Sequence, residues 1–261
     1  MKAASVWVAA LVLWMALPAS AVDHNNVDAH RPLTFDDAEA VAYREQALEF
    51  GLGLGWPKGS PMGLGMEAEY IYGFALNSHV SLGLEPSAGG RAGDESTAFD
   101  VGDVSIGLFH NFNREYDNTP AFSLRGDLFF PTGRDSKGIG YRLRGIMSRH
   151  AGQYGRLHVN VDLNGNPDAP PGERTFHPGL VFGYTRPLGY PTEFSTTGLA
   201  ELAVQAGAES GTGPVISAGV GVRKQVGVRS VLDVGLRSDI ASLDDAPQEY
   251  LRVVAGYSYG F

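Results

Sequence analysis

Alternation of apolar with small or polar residues, repeated about a dozen times along the chain, constrains its fold more than any other feature. In RLHVNVDLN, Leu157, Val159, Val161 and Leu163 alternate with Arg156, His158, Asn160, Asp162 and Asn164. Successive side chains of a strand point to opposite faces, so such a segment is greasy on one side and polar on the other. The same period runs through VGDVSIGLFHNF, ALEFGLGLGW and PVISAGVGVRK. It predicts strands near 46–56, 63–74, 78–85, 101–112, 120–130, 139–149, 155–164, 177–186, 197–207, 214–224, 229–238 and 249–261. Each has about the ten residues that a tilted strand needs to cross a bilayer. The strand at 197–207 is the least regular, because Leu199 and Ala203 blur its faces.

The connections alternate as well. ALNSH, HAGQY and KQVGV are tight, whereas PSAGGRAGDEST, PTGRDSKG, NGNPDAPPGERT and DIASLDDAPQ are long and polar. Barrels of the bacterial outer membrane pair short periplasmic turns with longer outside loops in this way. NREYDNTP and RPLGYPT are then the longest inner turns. Aromatic residues sort by end: Tyr72, Phe74, Phe112, Phe122, Tyr184, Tyr257, Tyr259 and Phe261 fall at the inner ends, and Trp56, Phe130 and Tyr141 at the outer ends. Rings favour the headgroup level, so two girdles around an apolar band are what a bilayer selects. The expectation is an all-β chain, a transmembrane antiparallel β-barrel of about 12 strands over residues 46–261.

Lys2, the apolar run Val6 to Leu17 and the small residues ending at Ala21 read as a cleaved signal peptide, residues 1–21. The mature chain begins near Val22 and is exported, and outer-membrane lipids and lipopolysaccharide are its expected surroundings in a Gram-negative cell. Without cysteine the chain has no disulfide, zinc-thiolate site or cysteine nucleophile. Its net charge of −9, with no basic patch, argues against nucleic acid as a partner.

The chain ends EYLRVVAGYSYGF. A strand in lipid must pair along both edges, so the last strand is expected to close against the first. Tyr257, Tyr259 and Phe261 form the expected signal for the barrel-assembly machinery. Residues 22–45 read either as a periplasmic segment or as a plug. Thr34 ahead of Asp36, Asp37 and an alanine-rich run predicts the cap of a short helix, with Asp36 and Asp37 meeting arginines of the lumen.

Two stretches carry a family resemblance. LTFDDAEAVAYREQALEFGLGLGW (33–56) has an acidic step after Thr34. GDVSIGLFHNFN and PAFSLRGDLFFPTG (within 102–133) have a Gly-Asp strand start and a strand closing on Pro-Thr-Gly. With the terminal Tyr-x-Phe, these are similar to the phenol-degradation MetA-pathway outer-membrane family. Phe35 and Ala38 depart from that pattern, standing where a polar residue and a proline are more typical. The resemblance implies a transporter-like barrel associated with aromatic or hydrophobic compounds.

The alternation places Glu67, Glu69, Arg125, Asp127, Arg142, Arg144, Arg156, His158, Asp162, Glu201, Arg223, Asp233, Arg237 and Arg252 inside. Charges of both signs on neighbouring strands either cross-link the lumen or form a charged constriction that orders a solute. The expected function is a channel or transporter for small, aromatic or hydrophobic solutes. The alternative is a closed structural or surface-interaction barrel acting through its outer loops. A membrane-embedded hydrolase is the third reading, with His79, His110, His150, His158 and His177 as its candidate bases and Ser148 near His150. No acid stands at a recognisable spacing from these histidines, so no enzyme is expected. No cofactor or metal is expected: His24 and His30 lie in a tail, and the acidic loops lack EF-hand spacing.

Overall fold

The computed structural model describes residues 31–89, 99–134, 136–244, 246 and 248–261. The expected signal peptide, His24 and His30 lie outside these residues. Thirteen strands follow in order: β1 Gln46–Pro57, β2 Gly63–Ala75, β3 Ser78–Leu84, β4 Ser87–Gly89, β5 Val104–Asn113, β6 Ala121–Phe130 and β7 Gly140–Ala151; then β8 Gly155–Gly165, β9 Phe176–Pro187, β10 Thr196–Gln205, β11 Val215–Gly227, β12 Ser230–Ser242 and β13 Glu249–Gly260. The short β4 continues the line of β3 beyond Pro86, since both pair with β2. The wall is therefore a closed antiparallel barrel of twelve strands.

β1 closes the wall, pairing with β2 on one edge and β13 on the other. The seam is tied at its end by the Phe261 N–H donating to the Gln46 carbonyl at 2.9 Å. No edge remains at this closing seam with unpaired amides facing hydrocarbon, as a bilayer requires.

The outward faces are those read from the alternation. Leu52, Ile106, Leu108, Leu157, Val161, Phe182, Val234 and Leu236 point away from the lumen and are each 45–54% exposed apart from Leu108 at 55%. Exposure of that extent is what a lipid-facing band shows when only protein atoms cover it. The interval at 101–103 is not strand: Gly102 takes a φ of +72° and β5 begins at Val104. A side chain at Gly102 would meet the Glu85 carbonyl, so only glycine passes there.

The Gly-Asp and Pro-Thr-Gly stretches meet in space. The Val104 N–H donates to Thr132 Oγ1 at 3.0 Å, and Thr132 Oγ1 donates to the Gly102 carbonyl at 2.9 Å. The Gly133 N–H donates to Asp103 Oδ1 at 3.0 Å and the Arg134 N–H to Asp100 Oδ1 at 2.8 Å. This clasp ties the ends of β5 and β6 at the long-loop end.

Candidate functional site

Residues 31–45 enter the lumen as an irregular strap. They contain no helix, which corrects the helix expected from Thr34, Asp36 and Asp37. Helical backbone would satisfy its own amides. Here wall side chains supply the partners instead, and the chain can stay extended.

The strap crosses the barrel as a series of side-chain brackets. At its start Arg31 donates to Glu49 Oε2 at 2.6 Å and to the Phe50 carbonyl, with Asp233 and Glu67 at 3.8 and 3.7 Å. The Thr34 N–H and hydroxyl both donate to Glu201 Oε2, at 2.7 and 2.9 Å. Arg144 clamps Asp162 with contacts of 2.5 and 2.7 Å, and its Nη1 reaches the Thr34 carbonyl at 2.7 Å and Asp36 Oδ2 at 3.2 Å. Asn160 imitates a strand neighbour: it accepts from the Asp36 N–H at 2.6 Å and donates to the Asp36 carbonyl at 3.0 Å.

Further along, the Ala38 N–H donates to Ser148 Oγ at 2.9 Å, while Asn111 and Ser123 donate to its carbonyl at 2.6 and 2.7 Å. The Val41 N–H donates to His79 Nδ1 at 3.1 Å, which makes that ring nitrogen an acceptor. The Arg44 N–H then meets the Gly73 carbonyl at 2.6 Å, where the strap turns into β1. Asp37 turns its carboxylate locally, accepting from the Glu39 N–H at 2.8 Å.

Between these brackets the strap packs into space left by glycines. A Cβ at Gly183 would lie 2.5 Å from the Phe35 ring, at Gly219 2.8 Å from Leu33, and at Gly221 and Gly235 within 2.8 Å of Pro32. Leu33 and Phe35 are buried against Val181, Leu199 and Ala203. Leu199 and Ala203 are the residues that blurred the strand at 197–207. They are apolar and inward because the strap covers them. Phe35 and Ala38, the two departures from the family pattern, are both fully buried in this packing.

The inward charges are arranged around the strap. Arg125 bridges Glu69 and Asp127 at 2.8 and 2.9 Å, and Arg142 meets Asp127 at 2.8 Å. Arg156 reaches Glu39 of the strap at 2.7 Å. His158 stacks on Phe35 with centroids 5.1 Å apart and meets Ser148 and Thr185 at 2.9 and 3.1 Å. Asp233 and Arg223 are buried beside Arg31, 2% and 1% exposed. Arg237 and Arg252 face the loop end, 3.7 and 3.6 Å from Glu201 and Glu249. There lie two adjoining cavities of about 290 and 440 Å³, the smaller lined in part by Pro32, Leu33 and Thr34 of the strap.

The described histidines have separate partners. His158 meets Ser148 Oγ through Nδ1 and the Thr185 hydroxyl through Nε2. Ser78 and His110 meet at 2.8 Å on the outward face. His177 is partly buried on the inward face of β9. His150 does pair with an acid, contrary to the sequence reading: Glu115 from the β5–β6 turn lies 2.7 Å from its Nδ1. Partial burial would raise the Glu115 carboxyl, but hydrogen bonds from the His150 N–H and ring outweigh it and hold it below the ordinary 4.5. Among the described residues no group of three His, Cys, Asp or Glu is placed to hold a metal.

No family model and no curated protein matches the sequence, so the family resemblance of residues 33–56 and 102–133 has no matching model behind it. Solved structures do resemble the fold. An outer membrane channel from Pseudomonas putida F1 superposes with a TM-score of 0.67 at 14% identity, over 86% of this chain and 98% of that one. The NanC porin gives 0.59 at 9% identity over 81% and 98%, and the KdgM porin 0.55 at 9% over 82% and 99%. At these identities the likeness shows the barrel fold.

Proposed function

We propose that this chain is a channel of the bacterial outer membrane for small solutes, with the strap as its constriction. The observation that carries this reading is how the strap is held. From Thr34 to Val41 its backbone bonds named above go to wall side chains, apart from the Glu39 N–H on Asp37, so it can shift without opening any ladder of the wall. The channel and porins of similar fold support the same reading. The family resemblance supports aromatic or hydrophobic solutes as the cargo. In this reading the solute moves down its own gradient.

Planar-bilayer recording tests it. The wild-type protein gives small ion currents. Arg144→Ala, which removes the Arg144 bonds to the Thr34 carbonyl and Asp36, gives larger or more frequent openings, and deletion of residues 31–41 gives the largest steady conductance. Silence in all three forms rejects the channel. A second reading is favoured by the tight filling of the lumen: a closed barrel acting through its loops. It expects silence in the wild type and no gain on Arg144→Ala.

A further inference from the structure

Two arginines at the loop end differ from five others of the lumen in what they hold. Arg31, Arg125, Arg142, Arg144 and Arg156 each meet a carboxylate oxygen at 2.5–2.8 Å. Beside Arg237 and Arg252 the acids stand further off, Glu201 at 3.7 Å and Glu249 at 3.6 Å, loose ion pairs rather than hydrogen bonds. The closest partner of Arg237 is neutral, Ser217 Oγ, to which its Nη2 donates at 3.1 Å.

The same two arginines stand directly opposite each other. In the β12–β13 register Arg237 pairs with Arg252, so both side chains leave the wall at one inward spot. Like charges at opposed positions of an antiparallel pair destabilise it. A guanidinium keeps its proton in proteins, so the repulsion is not relieved by titration. The two side chains part instead. Arg252 lies over β1 and β2, where a Cβ at Gly53 or Gly65 would come within 3.3 or 3.1 Å of its Nη2. Arg237 leans the other way, to Ser217 on β11. Both line the smaller loop-end cavity, of about 290 Å³.

The rest of that lining suits one kind of small solute. Asn164 and Gln205 add neutral polar groups. Pro32 and Leu33 of the strap add carbon, as does Val254, the next inward position after Arg252 on β13. The cavity thus carries its positive charge toward the loops and its apolar surface toward the strap. Glu67 and Glu85 line it as well, and their charge works against a solute carrying a second negative charge. Its volume is at the lower end of the range of ligand pockets, about 300–1,000 Å³.

We infer that Arg237 and Arg252 bind the carboxylate of a small organic monoanion, whose apolar body lies toward Pro32, Leu33 and Val254. Each guanidinium is a planar fork of N–H donors that matches the two oxygens of a carboxylate. An anion between the two arginines offsets their repulsion, which a neutral solute of the same shape does not do. The inference deepens the channel reading, on which it rests for the passage of the solute, by naming the class of solute held in the loop-end cavity.

The test titrates benzoate into the detergent-purified full chain by isothermal calorimetry, with benzamide as its uncharged counterpart and inorganic phosphate as the competing anion. The wild type binds benzoate about tenfold or more tightly than benzamide, and Arg237→Gln and Arg252→Gln each remove about tenfold of that affinity, as loss of a charged hydrogen bond does. Phosphate binds more weakly than benzoate. Arg149→Gln, at the short-turn end beside Asn118, leaves benzoate affinity unchanged. The heat-dependent gel shift of a folded barrel reports whether each variant folds, and the comparison of benzoate with benzamide needs no variant. Benzoate bound no more tightly than benzamide overturns the site, and so does an affinity unchanged in both glutamine variants. Phosphate bound more tightly than benzoate overturns the carboxylate and points to a phosphate ligand, free or in a lipid headgroup. Planar bilayers separate this from the channel. Silence of a protein that shows the arginine-dependent binding rejects the channel and leaves the site, whereas ion current without that binding rejects the site and leaves the channel.

Discussion

Phe35 can lie against β9 because Gly183 has no side chain, and His158 supplies the face on which its ring rests. Removing a buried phenylalanine ring costs about 3–5 kcal/mol in protein cores, here charged against the docking of the strap rather than the wall. Phe35→Ala is therefore expected to leave the heat-modifiable barrel intact while exposing residues 31–41 to protease added from the short-turn side. Conductance should rise with it. A strap equally resistant in the variant would show that the polar brackets alone hold it. The opposite face behaves differently. Leu108 points to lipid, and Leu108→Arg should destabilise the folded barrel by about 2–4 kcal/mol near the bilayer middle, read as a lower urea midpoint in vesicles.

The elements differ in how plainly the sequence announces them. Strands were legible because one face meets a uniform solvent, hydrocarbon, which imposes a strict period of two from Leu157 to Leu163 as from Leu48 to Trp56. The strap was not, since its partners lie on many different wall strands and no period links Arg31, Thr34, Phe35 and Ala38. What could have found it are the misfits: apolar Leu199 and Ala203 on a face that should be polar, and inward glycines clustered on β9, β11 and β12. The alternation assigns the charges to one face of each strand. Which of them pair, as Arg144 does with both Asp162 and Asp36, depends on register and on the strap, and neither is written in one strand. The clasp is legible only as a pair of motifs, and its role is testable at this scale. Thr132→Val keeps the bulk of the side chain and removes its bonds to Val104 and Gly102, so amide exchange at the start of β5 should quicken while the midpoint of global unfolding moves by about 1 kcal/mol or less. At the other end, the Glu115 contact with His150 should survive mild acid. Because the carboxyl titrates below 4.5, protection of the His150 amide is kept through that pH and lost as the pH falls further. Glu115→Gln should flatten that dependence.

For the molecule as a whole, the terminal Phe261 has two separable duties, and one experiment divides them. Its backbone seals the seam through the Gln46 carbonyl, and its ring lies 6.2 Å from that of Tyr259 in the inner girdle. Sealing needs only the backbone, so Phe261→Ala should refold from urea into detergent with nearly the wild-type yield and midpoint. If Tyr257, Tyr259 and Phe261 also address the chain to the barrel-assembly machinery, as we propose, the same variant should reach the outer membrane several-fold less in cells. Equal loss in both settings would make the ring a packing residue of the girdle. Equal success in both would leave the backbone seam as the whole of its contribution, because closing the wall removes the unpaired amides that hydrocarbon does not tolerate whatever side chain stands last.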